Sequence, residues 1–96
     1  MLVLPPHISG MRPGRKKDRA RARWLIDQAM NIADCITLAE LSQKLGYHPR
    51  TISTILYYGR LTDKTARLLQ RLCGKDEAGN WRMPKELVAP DFFGDA

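Results

Sequence analysis

Apolar residues first recur at helical spacing in "ARARWLIDQAMNIADC", where Ala22, Leu25, Ile26, Ala29, Met30 and Ala33 fall at i, i+3, i+4 and i+7. That period puts them on one stripe of a helix running from about Asp18 to Ala33, with Arg19, Arg21 and Arg23 mostly off the stripe. Thr37 opens a second helix. Glu40, three residues on, completes a capping box in which the hydroxyl and the carboxylate each take a free N–H. Leu38, Leu41, Ser42 and Leu45 supply its inner face, and Gly46 ends it where a left-handed backbone costs glycine least. Pro49 suits the first turn of a third helix, from about Pro49 to Tyr57, and disfavours a helical His48. Ile52, Ile55 and Leu56 face inward there, and "YYGR" stops it at Gly59. Thr62 caps a fourth helix, "DKTARLLQRL", in which Thr65, Leu68, Leu69 and Leu72 repeat at helical spacing before Gly74.

Outside these runs the pattern weakens. Residues 1–15 contain prolines and glycines without periodicity, as in an arm. "DEAGNWRMP" holds a turn-like Gly79-Asn80 with room for a short β-hairpin, "PKELVAP" spans at most two helical turns, and "PDFFGDA" is a tail with an aromatic pair. The fold class expected is therefore all-α: a small domain of four to five helices with a short C-terminal extension. Three segments follow: a flexible basic arm at 1–17, the helical domain at 18–74, and an acidic, apolar extension at 75–96.

The sharp corner within "TLAELSQKLGYHPRTISTIL" sets this pattern apart from an ordinary small bundle. A helix, a three-residue turn with glycine and a second helix make a helix-turn-helix, which holds one helix across a DNA backbone so that the next can enter the major groove. Leu41, the small Ser42 where two helices would touch, Leu45-Gly46 at the turn, Thr51-Ile52-Ser53 and Ile55 agree in register with that motif. On these residues the chain resembles the lambda repressor and Cro-like (Xre) family over about residues 18–74. "YYGR" followed by "LTDKTARLLQRL" is similar to the family's turn after the recognition helix and the helix beyond it. The chain departs from the family at Leu38, where Gln is common, at Tyr58, where Asn is common, and at His48-Pro49, where Ser usually caps. The lac repressor headpiece has a comparable corner but begins it within a few residues of the N-terminus. Winged-helix proteins place a β-hairpin where this chain has its fourth helix.

Charge sharpens the picture. The chain of 96 residues carries a net +6. Residues 1–36 hold seven Lys/Arg against three acids and 37–75 seven against two, whereas 76–96 hold two against five. Basic charge concentrated on the helical part is the expected footprint of a polyanion, or else a solvated basic surface. A chain this short buries about 60–65% of its unfolded surface, enough for one core. "MLVLPPHISG" is broken by Pro5 and Pro6 and makes a poor signal peptide, and translation from Met1 or from Met11 is left open. No apolar run approaches the ~20 residues of a membrane span, so the expected location is the cytoplasm, at the nucleoid when DNA-bound. Cys35, Cys73, His7 and His48 lie apart without the spacing of a zinc site, and the two cysteines read as small core residues rather than a disulfide. No cofactor is expected. With no nucleophile–base pair, paired carboxylates or Gly-rich phosphate loop, neither is an enzyme.

Candidate contacts to double-stranded DNA follow from the third helix and its flanks. His48, Arg50, Thr51, Ser53, Thr54 and Tyr57 are its outward positions. Arg50 is placed for a bidentate pair with guanine or for a phosphate; Thr51 and Thr54 for a thymine methyl or a phosphate. Ser53 either packs or contacts DNA, and His48 either caps or contacts it. Arg60 and Lys64, with Lys44 behind them, are candidate phosphate contacts that set register. Arg15, Lys16 and Lys17 belong to the basic run "GRKKDRARAR" (14–23), an arm that follows the DNA backbone or enters the minor groove, or else a solvated run. Tyr57 and Tyr58 are candidates to reach phosphates through their hydroxyls, with one of them expected to close the core, and Trp24 is expected to fill the core or its edge. Trp81, Met83, Leu87, Val88, Phe92 and Phe93 either fold back over the helices, join a second subunit in a dimer, or grip a protein partner. The expected function is a sequence-specific regulator, a small phage- or plasmid-type repressor binding a palindrome as a dimer. The alternative is an antitoxin-like interaction protein that autoregulates its operon.

Overall fold

A computed structural model describes residues 4–5, 16–59 and 61–89, and for 16–18 the backbone alone. Among the described residues the chain is all-α: α1 Lys16–Ala33, α2 Leu38–Lys44, α3 Thr51–Tyr58, α4 Asp63–Cys73 and a single turn, α5 Lys85–Val88. The long α1 packs against α2, α3 and α4; α2 lies mainly on α3, and α5 on α4.

The apolar stripes meet in one core. Leu25, Ile26, Leu41, Ile52, Leu69, Met83 and Val88 are all fully buried in it. Each such side chain gains roughly 1.5–3 kcal/mol by leaving water, which is what holds helices of seven or eight residues that would not persist alone. On α1 the expected positions Ala22, Leu25, Ile26 and Ala29 are buried, while Trp24 and Met30 line the edge. The register of α4 is turned from the expected one. Thr65, Ala66, Leu69 and Cys73 face inward, and Leu68 and Leu72 are half-buried at the rim.

Helix ends follow local chemistry. Thr37 Oγ1 accepts from Glu40 N at 3.1 Å, and the Glu40 carboxylate accepts from Ile36 N at 3.2 Å, one residue before the cap itself. Past α2, Gly46 N donates to Gln43 O and Tyr47 N to Ser42 O, a Schellman ending that uses the left-handed Gly46 at φ 81°. At α1 an aspartate does the same work: Asp34 adopts φ 57°, and Cys35 N reaches Met30 O at 2.8 Å.

Four expectations are corrected. First, α1 begins at Lys16 rather than Asp18, so Lys16 and Lys17 are helical, and Leu4 packs on the core although it falls in the expected arm. Second, α3 begins at Thr51 rather than Pro49, making the link from α2 six residues (45–50) instead of three. Thr51 N donates to His48 O at 3.0 Å, so the chain enters α3 through a tight turn over Pro49 and Arg50 before the i→i−4 ladder starts. Third, Gly74 to Arg82 reverses around a turn closed by one isolated antiparallel bridge, Lys75 to Trp81, rather than by a pair of strands. Asp76 Oδ1 takes both Ala78 N and Asn80 N at 2.9 Å and fixes that turn. Fourth, the extension does not stand apart from the 18–74 domain. Met83, Val88 and Ala89 are buried in the same core, Lys85 N donates to Gln70 Oε1 at 2.9 Å, and Arg21 donates to the carbonyls of Leu87 and Val88. Met83 and Val88 therefore fold back over the helices and are removed from the expected partner surface. Leu87 is half-buried, Trp81 is exposed, and Phe92 and Phe93 lie outside the described residues.

Candidate nucleic-acid interface

Ser42 makes the joint between α2 and α3. Fully buried, its Oγ donates to Leu38 O at 2.9 Å and accepts from Ile52 N at 3.2 Å. Ile52 N belongs to the first turn of α3, where no intrahelical carbonyl can reach it. A side chain of one helix therefore satisfies an orphan donor of the other, and only a small residue fits the close contact.

This joint turns a polar face of α3 outward. His48, Arg50, Ser53, Thr54 and Tyr57 are exposed and Thr51 is half-buried. His48, Arg50, Thr51, Thr54 and Ile55 line one shallow, open depression of ≈ 370 Å³. The backbone around Arg50 is tightly tied. Its N–H donates to His48 Nδ1 at 3.2 Å, and its carbonyl accepts from Ser53 Oγ at 2.8 Å and Thr54 Oγ1 at 3.0 Å. Ser53 thus bonds within its own helix instead of packing at the helix interface, and His48 meets Arg50 through its ring. The Arg50 guanidinium has no hydrogen bond or ion pair among the described residues, so its planar fork is open to a ligand acceptor.

The flanking cations divide. Lys64, beside the N-terminus of α4, lies 5.5 Å from the centroid of the Tyr47 ring and is exposed. Lys44 is engaged elsewhere. Its Nζ donates to Ala33 O at 2.8 Å and is 3.9 Å from Glu40, so it completes the C-terminal end of α1 rather than joining the α3 face. Arg15 and Arg60 lie outside the described residues, and of Lys16 and Lys17 only the helical backbone is described. Neither Tyr57 nor Tyr58 closes the core; both are largely exposed, at 66% and 71%. Tyr47 takes that part, half-buried with its hydroxyl 3.1 Å from Thr65 Oγ1.

Arg19 and Arg21, which sequence reading places only within the basic run 14–23, lie on α1 with partners of their own. Arg21 holds the end of α5, and Arg19 lies over the ring of Tyr57, 5.2 Å from its centroid. Helical spacing marks both as off the apolar stripe and says nothing of partners 38 or 67 residues away. The single sequence hint is Gly59, whose buried backbone lies against Arg19.

Elsewhere the chemistry is sparse. Among the described residues no group of three or more His, Cys, Asp or Glu could hold a metal ion, and no helix is long and apolar enough to cross a membrane. Cys35 and Cys73 are free thiols. Burial pushes the Cys73 thiol up to about 11; the Arg82 charge pulls it down and Cys35 adds slightly to the rise. It is therefore protonated at neutral pH and a poor nucleophile. Compared with family models, curated proteins and solved structures, the chain matches none.

Proposed function

We propose that this protein is a sequence-specific DNA-binding regulator of transcription, a small phage- or plasmid-type repressor of the lambda repressor and Cro-like kind. The observation that carries the reading is the Ser42 joint, which ties α2 to the first turn of α3 while the Arg50 guanidinium stays uncommitted at the edge of an exposed, hydroxyl-bearing face. In this reading α2 and α3 are the two helices of a helix-turn-helix with a longer link than usual. α2 lies across the phosphates, and α3 enters the major groove. Arg50 pairs bidentately with a guanine, an interaction worth about 1–3 kcal/mol of discrimination, while Thr51 and Thr54 meet a thymine methyl or a phosphate. His48, Ser53 and Tyr57 line the same face, and Lys64 and Arg60 hold phosphates.

A dimer with two recognition helices ~34 Å apart would read a palindrome, and repression would work by occlusion, in the cytoplasm at the nucleoid. The rival reading, an antitoxin-like protein with a partner-gripping C-terminal segment, loses ground because Met83 and Val88 lie in the chain's own core. The chain is read as a binding protein without cofactor, not as an enzyme.

The test is binding to the DNA upstream of the protein's own gene and to a scrambled duplex of equal length, across a salt series. A preference of ~10³ or more for the upstream site that Arg50→Ala abolishes supports the reading. Equal affinities with the same salt slope would overturn it.

A further inference from the structure

Arg19 of α1, Tyr57 and Tyr58 of α3 and the backbone of Gly59 come together at the C-terminal end of α3. Gly59 ends that helix at φ 69° and is buried against α1. A Cβ on it would lie 2.8 Å from Arg19 Cγ and 3.1 Å from Arg19 N. The missing side chain lets the stem of Arg19 pass over the helix end, where its guanidinium comes to lie 5.2 Å from the centroid of the Tyr57 ring. Tyr58 meets Tyr57 edge to face at 5.2 Å with the rings at 90°. All three side chains are exposed, and among the described residues Arg19 has no ion pair.

We propose that Arg19, held on Tyr57 beside the Tyr58 phenol, is a phosphodiester-binding site that extends the DNA footprint from α3 onto the start of α1. This deepens the DNA-binding reading and rests on it. A guanidinium leaning on a ring uses its face and keeps its in-plane N–H groups for a bidentate acceptor such as phosphate. Support from the ring and from the Gly59 backbone reduces the freedom lost when that acceptor binds. Two phenol hydroxyls without a hydrogen bond among the described residues add donors beside the guanidinium. A contact of this kind positions DNA without reading its sequence.

The test uses the full chain and a mixed-sequence duplex of about 30 base pairs, with affinity measured over a salt series. Loss of one phosphate contact should flatten the log–log salt slope by about 1 and weaken binding roughly eightfold near 0.1 M salt. That is the result expected for Arg19→Gln, which keeps a stem on Gly59 but removes the charge, and for Arg19→Ala. Arg19→Lys should keep the slope and lose part of the affinity, since it retains charge without the fork. Arg23→Ala, which removes a cation paired with Asp27 at 3.1 Å, controls for net charge and should leave the slope nearly unchanged. An unchanged slope in Arg19→Gln, or an equal change in Arg23→Ala, overturns the site, and so does absence of duplex binding by the unaltered protein. Because this duplex carries no chosen site, the outcome separates from the specificity test. A slope that depends on Arg19 in a protein with no sequence preference keeps the phosphate site and sinks the repressor.

Discussion

At the scale of single residues, burial decides the chemistry of the two thiols. Cys73 lies on the inward face of α4 and is 5% exposed, whereas Cys35 is half-buried at the end of α1. A thiol-specific reagent at pH 7.5 is expected to modify Cys35 first and to reach Cys73 only as the protein unfolds; equal rates in the native state would contradict this placement. The same burial links to stability. With its pKa raised from 9.0 to about 11 in the folded chain, Cys73 keeps its proton in the native state after the unfolded thiol has lost it. Its contribution is thus complete below pH 9 and is lost as pH climbs through the range to 11. Denaturant midpoints measured across that window should fall less steeply for Cys73→Ala than for the unaltered protein.

At the scale of elements, the α2–α3 pair stands on one hydroxyl. Ser42→Ala leaves Ile52 N without its acceptor in a buried contact, at a cost of about 1–3 kcal/mol. Ser42→Val also overfills a site with no exposure and should cost more. Hydrogen exchange at Ile52, read by NMR, is the sensitive measurement: the amide should lose protection in Ser42→Ala while α4 amides keep theirs. Uniform loss of protection would mean that the joint has no local role. Helix existence here was legible in the sequence, because Thr37, Gly46, Thr62 and Gly74 act through neighbours within a few residues. Helix starts were less so. Whether Pro49 or Thr51 opens α3 depends on a turn at His48 that no propensity specifies, and α1 starts at Lys16, ahead of its apolar stripe.

At the scale of the whole molecule, the segment after α4 belongs to the core. Met83 has no exposure, and Met83→Ala should cost about 2–5 kcal/mol, each kcal/mol lowering Tm by roughly 4–8 °C in a domain of this size. Trp81 is 40% exposed with Lys75 stacked 4.8 Å from its ring, and Trp81→Ala should move Tm far less. Calorimetry on the two variants checks the order, and a larger loss in Trp81→Ala would show the extension to be packed differently. The candidate site has the same division. Its α3 face could be read in part from helical periodicity, since Thr51, Thr54 and Tyr57 lie on one short helix, whereas His48 and Arg50 join the face from the turn before it. Its α1 part could not, because Arg19 meets Tyr57 only after α1 and α3 have packed.

By itself the sequence determined what short-range forces control: the amphipathic stripes, the caps, the glycine stops and the basic balance of the helical part. Those signals repeat within one or two helical turns and need no knowledge of the partner element. The tertiary structure alone decided which faces meet. It turned α4 so that Cys73 faces inward and Leu72 lies at the rim, drew Lys44 to the end of α1, and folded Met83 and Val88 under the helices. Each of these contacts joins residues at least eleven positions apart, and a one-dimensional pattern carries no term for the shape that brings them together.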